Sequence, residues 1–96
     1  MSEEYVNYVI REREGGWNCK QAVEKSAKYD IKWKSWGYGF DYWNKYARND
    51  GYLRISGDDA EAQNGFGNWV RANYSCTYDP ENKTVINVTL DAGKKN

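Results

Sequence analysis

The chain has 96 residues, 11.2 kDa, the size of one domain. Fourteen basic and fourteen acidic residues cancel, so the net charge gives no reason to expect strong non-specific binding to nucleic acid or anionic membranes. The absence of histidine excludes catalytic triads built on histidine and histidine-rich zinc sites, and two cysteines are too few for a four-cysteine zinc site. We therefore expect no metal and no cofactor.

Catalysis would have to rely on carboxylates. Among fourteen acidic residues no pair stands out, and so small a domain has little room for a substrate cleft, so we expect no enzymatic activity and no catalytic residue. No apolar run approaches the length of a transmembrane helix, and we expect no membrane partner. Residues 1–4 lack the pattern of a signal peptide, which favours the cytoplasm of a bacterial host cell, with an exported mature domain as the alternative.

Residues 3–14, within the N-terminal segment 1–16, are predicted to form a helix, with a strand as the alternative. Ser2 suits the N-cap, and Gly15-Gly16 would stop the helix. Tyr5 and Val9 are four residues apart, as on one side of a helix, although the aromatic and β-branched content is also typical of strands.

Residues 19–29 give the stronger helix prediction. Asn18 at the N-cap and Gln21 three residues later would form a capping box. Cys19 and Val23 then lie on one side of the helix, turned towards the core.

Residues 31–50 permit two interpretations. Ile31 and Trp33 alternate with lysines, as in a half-buried strand, whereas Trp43 and Tyr46 have the spacing of one helix side. From Tyr52 onward the sequence pattern predicts an antiparallel sheet.

The clearest strand covers residues 69–78, where every second residue from Val70 to Tyr78 is apolar or small. Residues 64–67 and 79–82 are predicted turns, because they combine glycine, asparagine, aspartate and proline. Residues 85–90 are the last predicted strand, with inward side chains Ile86, Val88 and Leu90.

These elements predict a single α+β domain over residues 1–96. One amphipathic helix, with a second if residues 1–16 are helical, packs on an antiparallel meander of three to four strands within residues 17–91, and residues 92–96 form a tail. Cys19 and Cys76 both face inward, so they form either a disulfide that closes a long loop or two buried free thiols.

Part of the chain resembles a family of small bacterial and phage domains of unknown function. The similarity lies in residues 19–23 and 28–33, in Ala62-Gln63-Asn64-Gly65-Phe66-Gly67 and in Tyr74-Ser75-Cys76-Thr77-Tyr78. Such domains often form the C-terminal part of exported lipoproteins or zinc-ribbon proteins. The resemblance implies the helix-and-sheet fold and the pairing of Cys19 with Cys76, and it implies no activity.

The aromatic content is the most informative feature for function. The chain has five Trp, nine Tyr and two Phe, and eight of these rings fall between Trp33 and Tyr52. We expect a core of this size to leave some of them exposed, and exposed aromatics beside Arg and Lys are typical of protein-interface hot spots. The predicted contact residues are Trp33, Trp36, Tyr38, Tyr42, Trp43, Tyr46, Arg48, Trp69 and Arg71.

We therefore expect a non-catalytic module that binds another protein and masks its surface. Inhibitors from phages and mobile elements, including anti-defence and anti-CRISPR proteins, fit that description. The alternative is binding of single-stranded nucleic acid or carbohydrate through residues 33–52, because aromatic rings stack on bases and sugars. Six basic and two acidic residues within 25–48 favour the nucleic acid.

Overall fold

The structure is a computed structural model and describes residues 3–34, 43, 45–49 and 51–92. The predictions for Ser2, Trp36, Tyr38 and Tyr42 lie outside the described residues, as does most of the predicted tail.

The N-terminal segment is helical, as the favoured interpretation predicts. Helix α1 covers Glu3–Asn7 and continues as one π-helical turn over Tyr8–Glu12. Val9 and Ile10 of this turn are buried, so it contributes directly to the core.

Helix α2 covers Gly15–Ser26, so it begins before the predicted start and ends before the predicted end. The capping box predicted at Asn18 is wrong, because Asn18 lies in the first turn and its side-chain amide donates to the Tyr78 hydroxyl at 3.0 Å. Gly15 allows the early start: a Cβ there would lie 3.0 Å from the Val9 carbonyl oxygen and 3.1 Å from the Tyr78 ring. Cys19 and Val23 are buried, as predicted.

The sheet is entirely antiparallel. Its strands are β1 (Ile31–Trp33), β2 (Lys45–Asn49), β3 (Tyr52–Gln63), β4 (Trp69–Asp79) and β5 (Thr84–Ala92). The predicted α+β fold on an antiparallel meander is confirmed, with five strands instead of three or four. The extra strand arises because β1 and β2 both pair with β3, one at each end of it, while β4 pairs along its other edge.

The prediction that Ile86 points inward is wrong. Thr77 pairs with Asn87 and Tyr78 pairs with Val85, so Ile86 is an extra residue in β5. Such a bulge shifts the alternation by one position. Val85 therefore packs against the core while Ile86 is half exposed, and further along the strand Val88 and Leu90 pack inward as predicted.

The core lies between the helices and one face of the sheet. A disulfide joins Cys19 of α2 to Cys76 of β4, with 5.8 Å between their Cα atoms, so the alternative of buried free thiols is wrong. The buried apolar residues around it are Val6, Val9, Ile10, Val23, Trp43, Leu53, Ile55, Ala60, Ala62, Ala72, Tyr74 and Tyr78.

Candidate partner-binding surface

The predicted contact residues do not form one surface, because the sheet separates them. Trp33 is paired with Ala60, and Tyr46 with Ile55, and residues paired in this way share a face of the sheet. Ala60 and Ile55 are core residues, so Trp33 and Tyr46 lie on the helix-covered face. Arg48 shares their strand parity and lies on that face too.

Trp69 and Arg71 lie on the opposite, open face of the sheet. They alternate along β4 with Val70 and Ala72, which face the core. The five described contact residues that are not fully buried are therefore divided between two faces.

Trp43 is fully buried, so the prediction that it belongs to a contact surface is wrong. Its ring packs edge-to-face on Tyr74, with 5.2 Å between ring centroids. Large aromatic side chains bury extensive area, and here one of them supplies the centre of a core that has few aliphatic residues.

Trp33 and Tyr46 are held by contacts within the chain. The Trp33 indole N–H donates to Glu24 Oε2 at 2.8 Å, and its ring lies 5.1 Å from that of Tyr74 in a T-shaped arrangement. The Tyr46 hydroxyl donates to the backbone carbonyl oxygen of Trp43 at 2.8 Å. These contacts make both residues part of the packing of the helix-covered face.

The charged contact residues also have partners. The Arg48 guanidinium lies over the Tyr5 ring, 4.4 Å from its centroid. Arg71 forms an ion pair with Asp58 at 3.2 Å on the open face. Both side chains are exposed, so neither pair contributes much to stability.

Within the described part of the chain, the most exposed large apolar side chain is not among the predicted contact residues. Phe66 is 92% exposed at the tip of the β3–β4 hairpin. In Asn64-Gly65-Phe66-Gly67 one large apolar residue stands between two glycines. The glycines predict a turn, and the phenylalanine is the sequence feature that indicates an exposed apolar side chain there. A turn needs no phenylalanine, so its presence there calls for another explanation.

Hydrogen bonds fix the conformation of this turn. Asn64 Oδ1 accepts from the backbone N–H groups of Phe66 at 2.9 Å and Asn68 at 3.0 Å. Two backbone bonds close it, from the Asn64 N–H to the Asn68 carbonyl oxygen at 2.8 Å and from the Gly67 N–H to the Asn64 carbonyl oxygen at 3.0 Å. Gly67 has φ +84°, a conformation that glycine adopts without strain. The exposed ring is therefore presented on an ordered turn.

Two further aromatic residues lie beside the hairpin tip. The Tyr29 hydroxyl is 3.4 Å from where a Cβ on Gly65 would stand, and Trp69 pairs with Gln63 at the last rung before the turn. Tyr29 is 46% exposed. We call Phe66, Tyr29 and Trp69, with the lysines Lys28 and Lys32, the tip surface. It spans both faces of the sheet, because Trp69 and Lys32 lie on the open face while Lys28 and Tyr29 line a groove with the core residue Ala62.

The lysines bring positive charge to the tip surface. Lys28 Nζ is 5.8 Å from the centroid of the Tyr29 ring, and Lys32 Nζ is 4.0 Å from that of the Trp69 ring. The two ammonium groups therefore lie against the rings of Tyr29 and Trp69.

Neither a metal-binding cluster nor a membrane-spanning helix is found in the described part of the chain. Within 3–34, 43, 45–49 and 51–92, no group of three or more Cys, Asp or Glu is arranged to hold a metal ion. Over the same residues, no helix has the length and apolar content needed to cross a membrane. Burial raises the pKa of Tyr78, and a hydrogen bond from Asn82 lowers the pKa of Asp79, but both groups lie around the β4–β5 turn and not at the tip surface.

No protein-family model matches the chain, and no match was found among curated proteins or solved structures. The resemblance to the small bacterial and phage domains therefore stays a prediction.

Proposed function

We propose that the chain is a non-catalytic protein-binding module that uses the tip surface to mask part of another protein. The exposure of Phe66 on an ordered turn is the observation that carries the proposal. Inhibitors from phages and mobile elements, including anti-defence proteins, act by covering a partner in this way. Of the predicted contact residues that the structure describes, only Trp69 belongs to the tip surface.

The energetics of Phe66 favour a concave, apolar site on the partner. Moving a fully exposed phenylalanine side chain out of water contributes about 1.5–3 kcal/mol. Because the turn is already closed by its own hydrogen bonds, little conformational entropy is lost when it docks. A single protruding ring on a rigid hairpin fits a pocket better than it fits a flat surface.

The two lysines of the tip surface indicate the charge of the partner's binding site. Lys28 and Lys32 lie beside the aromatic rings and would face the rim of the partner's pocket. Acidic groups on that rim would complement them, and complementary charge speeds association and excludes basic partners. We therefore propose an apolar pocket with an acidic rim.

The test compares two substitutions that remove an exposed apolar side chain. Phe66→Ala changes the hairpin tip, and Ile86→Ala changes a half-exposed residue of β5 away from it. Both variants should keep the circular dichroism spectrum and melting temperature of the parent. In capture from a bacterial lysate, proteins retained by the parent and by Ile86→Ala should be lost by Phe66→Ala. Equal retention by all three would refute a role for Phe66.

Single-stranded nucleic acid binding through aromatic residues is the second candidate. The contact between the Lys32 ammonium group and the Trp69 ring on the open face is the observation that favours it. A base can stack on an indole beside a cation that binds phosphate. Retardation of oligo(dT) at low salt that is lost in Trp69→Ala but kept in Phe66→Ala would establish nucleic acid binding in place of the protein contact.

A further inference from the structure

The open face of the sheet carries a polar cleft formed by strands β2 to β5. The cleft has a volume of about 260 Å³ and opens to solvent. Its floor is a row of hydroxyl side chains, because Ser56 of β3 pairs with Ser75 of β4, and Ser75 pairs with Thr89 of β5. Side chains opposite one another on paired strands share a face. Ser75 alternates with the core residues Tyr74 and Cys76, so the row lies on the face away from the core.

Ser75 and Thr89 form a hydroxyl pair that can donate to a ligand. Their oxygens are 2.6 Å apart, and Arg54 Nη2 donates to the Ser75 oxygen at 3.5 Å. Each hydroxyl has one proton, and the bond between the two uses only one of them. The pair therefore has a second proton that points to no group of the pair itself. Ser75 is only 8% exposed, so its neighbours hold this donor in place.

Two cationic side chains line the cleft on the side of β2 and β3. Lys45 pairs with Ser56, so it is the diagonal neighbour of Arg54 on the adjacent strand. Among the described residues neither Lys45 nor Arg54 forms an ion pair. Like charges that face each other across two strands are unfavourable. An anion bound between them would remove this repulsion, and the planar guanidinium of Arg54 suits a carboxylate or phosphate group.

The far end of the cleft is polar but does not exclude an anion from the cationic side. Strand β3 bulges at Asp58, because its pairing with β4 shifts by one residue there, and bulges commonly re-aim side chains beside active sites. Asp58 forms an ion pair with Arg71 at 3.2 Å, which offsets its charge. Asp91 lies on β5, the strand farthest from Lys45, and is paired with Asn73. The Asn73 amide both donates and accepts hydrogen bonds, as binding of a hydroxyl group requires.

We infer that the cleft binds a phosphate monoester of a small polyhydroxyl compound, such as a sugar phosphate. The ester carries about 1.5 to 2 negative charges at neutral pH, which match Lys45 and Arg54. The second proton of the Ser75–Thr89 pair gives the phosphate a further donor, and Asn73 lies where the hydroxyl groups would extend. The volume is slightly below the usual range of ligand pockets, about 300–1,000 Å³, which limits the ligand to the size of one sugar ring. This inference does not depend on the tip surface.

The ligand class is tested with three probes, which are glucose 6-phosphate, inorganic phosphate and glucose. Each is titrated at low ionic strength and followed by calorimetry and by NMR of the backbone amides. Glucose 6-phosphate should bind and shift the amide signals of Ser56, Ser75 and Thr89. Inorganic phosphate should bind more weakly at the same residues, and glucose should not bind measurably because it lacks the charge. Absence of shifts with millimolar glucose 6-phosphate overturns the inference, and equal affinity for inorganic phosphate overturns the assignment of a sugar ring.

Substitutions in the cleft test which residues bind the phosphate. Arg54→Gln and Lys45→Gln each remove one positive charge and should raise the dissociation constant of glucose 6-phosphate about tenfold. Lys25→Gln makes the same change of charge in the last turn of α2 and is the matched control, which should leave the constant unchanged. Asn73→Ala should weaken glucose 6-phosphate but not inorganic phosphate. Melting curves establish that the variants are folded. An equal effect of Lys25→Gln would mean that the anion is attracted to the chain as a whole, and would overturn the site.

Discussion

The Tyr78 hydroxyl donates a hydrogen bond of 2.6 Å to the backbone carbonyl oxygen of Arg13. The Arg13 side chain in turn donates to the carbonyl oxygens of Pro80 at 2.8 Å and Glu81 at 3.0 Å. The corner between the two helical segments is thereby joined to the β4–β5 turn. The Asn18 amide donates to the same Tyr78 hydroxyl, so this one oxygen connects three parts of the chain.

Replacing Tyr78 with phenylalanine tests this connection. Tyr78→Phe removes the hydroxyl that donates to the Arg13 carbonyl oxygen and leaves the Asn18 amide only its 3.4 Å bond to the Lys83 carbonyl oxygen, so we expect the free energy of unfolding to fall by about 1–3 kcal/mol. Urea denaturation followed by tryptophan fluorescence measures the change. Tyr29→Phe, at a half-exposed tyrosine, is the matched control and should change the free energy little. Equal stability of Tyr78→Phe and the parent would mean that water replaces the hydroxyl at no cost.

The same hydroxyl makes stability depend on alkaline pH. Burial raises the pKa of Tyr78 above the ordinary value of 10.0, and the hydrogen bond from Asn18 only partly opposes that effect. The unfolded chain therefore loses this proton at lower pH than the folded chain, and unfolding is favoured as the pH rises. We expect the free energy of unfolding to be constant below the unfolded pKa and to fall as the pH rises through the folded one.

A pH series of urea denaturation curves measures this dependence in the parent and in Tyr78→Phe. The variant lacks the ionising group, so its curve should be flatter between about pH 9 and pH 11. If the parent and Tyr78→Phe lose stability equally over this pH range, groups other than Tyr78 cause the loss.

The disulfide should contribute much of the stability. Cys19 and Cys76 are 57 positions apart, and cross-linking a loop of that length stabilises the folded state by about 4 kcal/mol in the chain-entropy description. We expect thermal unfolding of the reduced chain at a clearly lower temperature. Calorimetry with and without dithiothreitol measures it, with a Cys19→Ala, Cys76→Ala double variant to separate reduction from other effects of the reagent. Equal melting temperatures of the oxidised and reduced chains would show that the disulfide does not stabilise the fold.

The parts of the fold that depend on local pattern were predicted from the sequence. The alternation from Val70 to Tyr78 identified the core face of β4, because a strand packed on one side must repeat every two residues. The same alternation placed Cys76 in the interior, and the four-residue spacing of a helix placed Cys19 there. The parts that failed depend on residues distant in sequence. Ile86 was misplaced because the bulge is defined by pairing with Thr77 and Tyr78 on the neighbouring strand.

The candidate site was predicted less well for the same reason. The surplus of aromatic residues predicts a contact surface, but composition does not indicate which rings are buried. Trp43 is buried, and its ring centroid lies 5.2 Å from that of Tyr74, a contact between residues 31 positions apart in the sequence. Phe66 was missed because its glycine neighbours identified the turn without indicating which way the ring points.

Because Trp43 belongs to the core, its substitution should lower the stability of the fold. Trp43→Ala removes a fully buried ring and should lower the free energy of unfolding by about 3–5 kcal/mol. Trp69→Ala removes a half-buried ring from the open face and should cost distinctly less, because the side chain already contacts water. Urea denaturation of both variants measures the difference, and Trp43→Phe should recover part of the loss because it refills most of the cavity. Comparable losses at the two positions would contradict the burial of Trp43, since the two substitutions remove the same atoms and differ only in how much protein surrounds them.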